Sequence, residues 1–189
     1  MQATIPNSPY TLSARPLTLA DLPRFAEHAV RHGQESGADG DVIFMPYSAA
    51  DLPTYERIVQ HRAATWPRLL TQPAWVRTWA LHEGDRIVGH VDLTGGGLPA
   101  ALHRCTLGMG LERSCRHAGW GGLLLDTASE WARRQPSLIW LDLGVFAHNT
   151  PARALYHSRG FAEVGRLQDC FRVDGTVVDD IQMTLRLRD

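Results

Sequence analysis

The sequence predicts an α/β fold: a mixed, mostly antiparallel sheet flanked by about four helices. Three observations carry that expectation. Two stretches read as β-hairpins about glycine turns, at Glu83-Gly84-Asp85 and at Asp174-Gly175. Apolar residues recur at helical spacing in segments near 19–33, 49–70 and 121–134, with a shorter helix after Thr150-Pro151. Between the hairpins, a strand, a helix and the apolar run LIWLDLGVF (138–146) make a βαβ unit, a connection that is right-handed in about 98% of cases.

The elements follow in order. Residues 1–11 carry prolines and little periodicity, a loose leader expected to be partly disordered, and the first strand is placed at about 12–17. Thr18 and Asp21 have the spacing of a helix cap, and Leu19, Leu22, Phe25, Ala26 and Ala29 form the apolar stripe of a helix ending near Gly33. HGQESGADGDV (32–42) is a polar, glycine-rich loop. Ser48 and Asp51 repeat the capping spacing ahead of a second helix expected over 49–70.

Strands at 75–81 and 86–93 form the first hairpin, Gly95-Gly96-Gly97 turns the chain, and a further strand runs over 102–113. Leu124, Leu125, Ala128, Trp131 and Ala132 line one side of a helix over 121–134; Arg133 and Arg134 suit its negative end and Pro136 stops it. The run 138–146 is apolar at nearly every position, as in a strand buried on both faces. Thr150 is read as the cap of the next helix, with Pro151 at its first position, and strands at 162–173 and 176–186 close the chain.

Length and composition bound the rest. At 189 residues and 44% hydrophobic content, one domain over 1–189 is the expectation. The net charge is -1 and the 19 basic residues are scattered, so a nucleic-acid or acidic-membrane partner is not expected. Three cysteines at irregular spacings, Cys105, Cys115 and Cys170, match neither a disulfide framework nor a zinc pair, and a reducing cytoplasm fits them. The N-terminus lacks the charged head and apolar core of an export signal, and no eighteen consecutive apolar residues mark a membrane span. The nine histidines show no HxH or HExxH spacing; His117, His148 and His157 are read as loop and helix residues, and no metal is expected.

SCRHAGWGG (114–122) joins a strand to a helix. Unpaired backbone N–H groups converge at such a helix N-terminus, which favours an anion. Gly119 and Gly121 permit close approach, and Arg116 and Arg113 add positive charge. No Gly-Lys-Ser/Thr follows, so this is not a Walker loop, and Gly108, Gly110 and Gly119 do not make a GxGxxG fingerprint.

A second segment, VFAHNTPARALYHSRGF (145–161), sets Asn149, Ala152, Leu155, Tyr156, Gly160 and Phe161 in the pattern NxxAxxLYxxxGF. With RxxGxG at 116–121, it resembles the GNAT superfamily of N-acetyltransferases over about residues 12–187. The resemblance implies acetyl-CoA as donor and an amine as acceptor, with a parallel pair of strands splayed to admit the donor. It implies that Leu111, Glu112 and Arg113 pair by backbone with the pantetheine arm. Arg116, His117, Ala118, Gly119, Trp120, Gly121 and Gly122 would cradle the diphosphate, and Asn149 would contact the cofactor.

Tyr156 stands where the family has its general acid, a phenol of pKa about 10 able to protonate the departing sulfur. The family's glutamate bases are missing, since gapless counting puts Cys105 and Gly144 there. Glu112 is therefore the candidate base, with His103 beside it, and water held by backbone carbonyls is the remaining option. Cys115 is not a required nucleophile, because the family reaction is direct attack. Trp66, Trp75 and Trp79 are expected in the core rather than in a substrate pocket, and alternation lets only one of Asp179 and Asp180 face a pocket. A homodimer through the closing strands is compatible with the sequence, and the competing function is a non-catalytic acetyl-CoA sensor or scaffold.

Overall fold

A computed structural model describes residues 8–13 and 15–188. Seven strands form one sheet: β1 (Tyr10–Leu12), β2 (Val76–Glu83), β3 (Arg86–Gly95), β4 (Arg104–Leu111), β5 (Trp140–Phe146), β6 (Ala162–Val173) and β7 (Thr176–Arg186). Their order is β1-β2-β3-β4-β5-β7-β6, antiparallel throughout except between β4 and β5. Four α-helices accompany it: α1 (Leu22–Gln34), α2 (Tyr55–Thr65), α3 (Trp120–Arg133) and α4 (Thr150–Ser158).

The expected mixed sheet and four helices are present, with local differences that have physical reasons. β1 begins at Tyr10, inside the expected leader, because Tyr10–Leu12 finds partners in Leu81–Glu83; the chain then stays beside β2 through Ser13 and Leu17, whose N–H groups donate to Ala80 and Thr78 at 2.8 and 2.7 Å. Residues 1–7 of that leader lie outside the described residues.

The second helix is shorter than its expected 49–70. Pro53 bars helix before it, Thr54 caps α2 by accepting from the Arg57 N–H at 3.3 Å, and Pro67 follows its end. Ser48 and Asp51 bond to each other in a turn instead, at 2.5 Å. The cap of α4 is Asn149 rather than Thr150: its side-chain oxygen accepts from the Ala152 N–H at 3.3 Å.

β5 is not buried on both faces. Leu141, Leu143 and Val145 are buried beneath α3, whereas Asp142 is half-buried and Gly144 exposed on the opposite face. That face borders a cleft instead of a helix, which explains how a run this apolar remains open on one side.

Two cores hold the layers together. The larger joins Trp75, Trp79, Leu107, Trp120, Leu124, Leu125, Leu141 and Leu143 on the α3 side; the smaller packs Leu22 and Phe25 of α1 and Trp66 against Val76, Ala80 and Ile87. All three tryptophans weighed as pocket residues are thus core residues, and Trp66 donates its indole N–H to Thr78 at 3.0 Å.

The feature that positions the site is the short parallel pairing. β4 and β5 meet over only three pairs, Arg104–Trp140, Cys105–Leu141 and Thr106–Asp142. Beyond them each strand continues with its outer neighbour alone, β4 with β3 as far as Leu111–Gly89 and β5 with β7 as far as Phe146–Asp180. The closed end of this V is stitched by the Arg104 guanidinium, bidentate to Asp142 at 2.8 and 2.6 Å.

Candidate active site

The V opens into a cleft of ≈ 1780 Å³. Strand register decides which side chains face it from each side. His90 pairs with Gly110, Asp92 with Gly108, Gly144 with Gln182 and Phe146 with Asp180, so these residues share the sheet face covered by α1 and α2. On that face the inner strands carry glycine at 108, 110 and 144, leaving bare backbone along both arms of the V.

On the opposite face lie the N-terminus of α3 and all of α4. Gly119 precedes α3 with φ 85° and His117 has φ 60°, a turn that aims successive N–H groups outward. The first intrahelical bond runs from the Leu123 N–H to the Gly119 carbonyl at 3.3 Å, so the N–H groups of Trp120, Gly121 and Gly122 have no acceptor within the helix. Leu155 of α4 approaches where a Cβ at 121 would stand, 3.3 Å away, and Arg159 would be 2.7 Å from one at 122. Glycine here lets α4 pack close as well as exposing backbone.

Tyr156 projects from α4 and is buried; burial pushes its phenol up to about 12, so it stays protonated and able to donate at neutral pH. Leu111, Arg116, His117, Gly119, Gly121, Gly122, Asn149 and Tyr156 all border the cleft. Ala118 is exposed on the loop, and the Trp120 ring is buried edge-on to Tyr10 at 6.1 Å.

The two arginines are engaged elsewhere. Arg116 donates to the Leu111 carbonyl at 2.8 Å, to Asp41 at 2.6 Å and to Glu35 at 2.5 Å. Arg113 reaches Asp41 at 3.1 Å, and its backbone N–H donates to Glu35 at 2.9 Å. Together they tie the polar loop after α1 to the end of β4. Carboxylates compensate both charges, whereas the backbone N–H groups at 120–122 keep no acceptor within the helix.

Glu112 faces away from the V. Its carboxylate accepts from His28 at 2.8 Å and Arg31 at 3.2 Å and pairs with Arg86. Burial alone would raise its carboxyl; the bonds from His28 and Arg31 outweigh it and hold the group below the usual carboxylate range. His103 precedes β4 at the closed end of the V, roughly 25 Å of strand from Leu111. Burial raises the Cys105 thiol to about 12 and that of Cys115 to about 11, so both are poor nucleophiles.

Between Asp179 and Asp180, the second faces the cleft. Asp179 pairs with Arg166 at 2.6 Å on the outer face. Asp180 is 6% exposed, accepts from the Gln182 amide, and has no ion-pair partner among the described residues; burial raises its carboxyl. His32 and His90 also border the cleft, and a Cβ at Gly110 would stand 2.5 Å from the His32 ring and 2.8 Å from that of His90. Sequence reasoning missed this pair and His28. The signals were present: His28 and His32 are four apart on one helix face, and His90 and Asp92 interrupt an otherwise apolar strand. Among the described residues, no three His, Cys, Asp or Glu side chains converge as metal ligands, and no helix is long and apolar enough to cross a membrane.

Residues 43–161 match the acetyltransferase (GNAT) family. The chain belongs to that family. Its GNAT fold is shared with the crystal structure of a GNAT acetyltransferase from Streptococcus pneumoniae, at TM-score 0.74 and 24% identity over 93% of this chain and 99% of that one. A putative acetyltransferase, yncA, from Salmonella typhimurium, solved with acetyl-CoA, matches at TM-score 0.74 and 16% identity over 96% of each chain. Spermidine N-acetyltransferase from Vibrio cholerae, in complex with CoA and spermine, matches at TM-score 0.69 and 17% identity over 96% of this chain and 97% of that one. No curated protein sequence matches this GNAT chain significantly.

Proposed function

We propose that this GNAT family member is an N-acetyltransferase that moves the acetyl group of acetyl-CoA to a primary amine by direct attack. The observation that carries the reading is the two-sided V. The turn before α3, Asn149 and Tyr156 lie on one side of the gap; bare glycine backbone, two histidines and a carboxylate with no ion-pair partner among the described residues lie on the other. A donor entering from the α3–α4 side and an acceptor from the α1–α2 side meet between the strands.

In this reading the N–H groups at 120–122 hold the diphosphate, and the inner edge of β4 near Leu111 supplies backbone partners to the pantetheine arm. Arg113 and Arg116 act indirectly, by fixing the acceptor-side loop against the end of β4. Asp180 draws the ammonium of the incoming amine, since a shielded carboxylate lacking a counter-ion is relieved by a cation. Tyr156 protonates the departing thiolate.

Thiol release from acetyl-CoA tests the proposal, with a panel of free amino acids, amino-acid amides, linear polyamines and short peptides with free N-termini. The chain contains no lysine, all 19 basic residues being arginine, so its own side chains offer no competing amine. Amine-dependent thiol release is expected. Tight acetyl-CoA binding with no release across the panel would instead identify a sensor or scaffold.

A further inference from the structure

Side chains on three different elements form an unbroken line from the cleft: His90 of β3, His28 of α1 and Glu112 just after β4. His90 Nδ1 lies 2.8 Å from His28 Nε2, and His28 Nδ1 lies 2.8 Å from Glu112 Oε1. His28 is fully buried and uses both ring nitrogens in this line. At the other end, His90 Nε2 makes no hydrogen bond with the described residues; the Asp92 carboxylate is 3.9 Å away and committed to Arg62 and Thr78. We propose that His90 is the proton acceptor for the acceptor amine, with His28 and Glu112 as positioning residues that set its tautomer and take up the charge. The proposal rests on the N-acetyltransferase reading above.

The hydrogen bonds dictate the tautomers. An ionised Glu112 only accepts, so His28 carries a proton on Nδ1; where His28 accepts at Nε2, His90 carries its own proton on Nδ1. His90 borders the cleft, and its Nε2 lone pair is left without a hydrogen-bond donor among the described residues. When an ammonium gives its proton to that lone pair, the Nδ1 proton of His90 passes to His28 Nε2. The positive charge comes to rest on His28 against Glu112, and the neutral amine is free to attack the thioester carbonyl.

The balance closes with one proton to solvent. An ammonium brings three protons: the first leaves along this line, the second leaves as the tetrahedral adduct collapses and replaces the one Tyr156 gives to sulfur, and the third remains on the amide. The groups around His90 favour a transient role. Burial lowers its ring to about 3; Asp92 opposes this, Arg62 of α2 adds to it, and His28 of α1 adds to it whenever it carries the relayed proton. His32, also of α1, is lowered first by burial and further by Arg116 and by any positive charge on His90 or His28. His90 therefore starts uncharged and hands the proton on, while Arg31 and Arg86 keep Glu112 ionised throughout.

Nitrogen NMR of the imidazoles in the full chain tests the line without any acceptor: at pH 7 His90 should be neutral, and His28 and His90 should each carry a proton on Nδ1. Kinetics then use the panel amine with the highest rate. His90→Gln should retain acetyl-CoA affinity and lower kcat at pH 7 at least about tenfold. That deficit should shrink to about twofold near pH 10.4, where about half of a lysine-type amine is already deprotonated. His28→Gln should show the same recovery at high pH, and Glu112→Gln should move the acid limb of the rate profile to lower pH.

A protonated Nε2 on His90 overturns the relay, as does His90→Gln turning over like wild type at pH 7 or losing the same factor at every pH. Recovery at high pH in Asp180→Asn but not in His90→Gln would also overturn it and give the role to Asp180. Absence of turnover by the wild-type chain with every amine overturns the enzymatic reading itself, and the relay with it.

Discussion

The carboxylate of Asp180 lies over Gly144, so close that a Cβ at position 144 would stand 2.8 Å from Oδ2. β7 thus places a negative charge beside the stretch of β5 that has no side chain of its own. A hydrogen bond to a charged group contributes about 1.5–3 kcal/mol. Asp180→Asn is accordingly expected to raise KM for a cationic amine roughly tenfold or more, while leaving the acetyl-CoA dissociation constant unchanged. Steady-state kinetics beside calorimetric titration of acetyl-CoA check both halves; equal KM values would remove Asp180 from acceptor binding.

Tyr156→Phe keeps the ring and deletes only the donor. Since the phenol is shielded and held protonated, kcat should fall by roughly 10²-fold or more, with circular dichroism and acetyl-CoA affinity preserved. Unchanged turnover would exclude Tyr156 as the acid.

Gly110→Ala places a methyl group against His32 and His90. The rings must move, at a cost of about 1–3 kcal/mol typical of overpacking. We expect a lower denaturation midpoint together with a loss of kcat. Gly108→Ala, whose added methyl would meet no atom within 4 Å, should have the smaller effect on stability. Urea denaturation of the two variants makes the comparison.

Buried His90 and His32 bind protons less readily than in the unfolded chain, where the ordinary value is about 6.5. Below that value the unfolded state takes up more protons, so their contribution is full above pH 6.5 and is lost as pH falls toward the folded value, about 3 for His90. Each such histidine lowers stability by up to about 1.4 kcal/mol per pH unit in that window. Melting temperature measured from pH 8 to pH 4 should fall below pH 6.5, and less steeply in His90→Gln.

Most of the architecture was legible because it rests on local chemistry. Glycine turns at 84 and 175 mark the two hairpins, and the stripe Leu124, Leu125, Ala128 and Ala132 marks α3. The turn at 114–122 was legible for the same reason. Errors arose where a local pattern competed with a stronger restraint: Pro53 and Pro67 overrode the apolar spacing around α2, and the alternation of β5 was hidden because the residues that alternate with its buried Leu141, Leu143 and Val145, namely Trp140, Asp142 and Gly144, include only one charge. The relay was beyond reach of spacing alone. His28, His90 and Glu112 are brought together across 84 residues of chain by α1 crossing β3 and β4, and only tertiary packing reveals that Glu112 faces the histidines rather than the V.

The three-pair contact between β4 and β5 leaves a sheet with an internal tear, since the facing edges beyond Thr106 and Asp142 have backbone groups but no neighbouring strand. If acetyl-CoA lies in that gap as proposed, it stands in for the absent length of strand, and substrate binding becomes the last step of sheet assembly. The native state would then gain about 2.7 kcal/mol at a donor concentration one hundred times its dissociation constant. Turnover, in such a molecule, is a cycle of mending and reopening its own sheet.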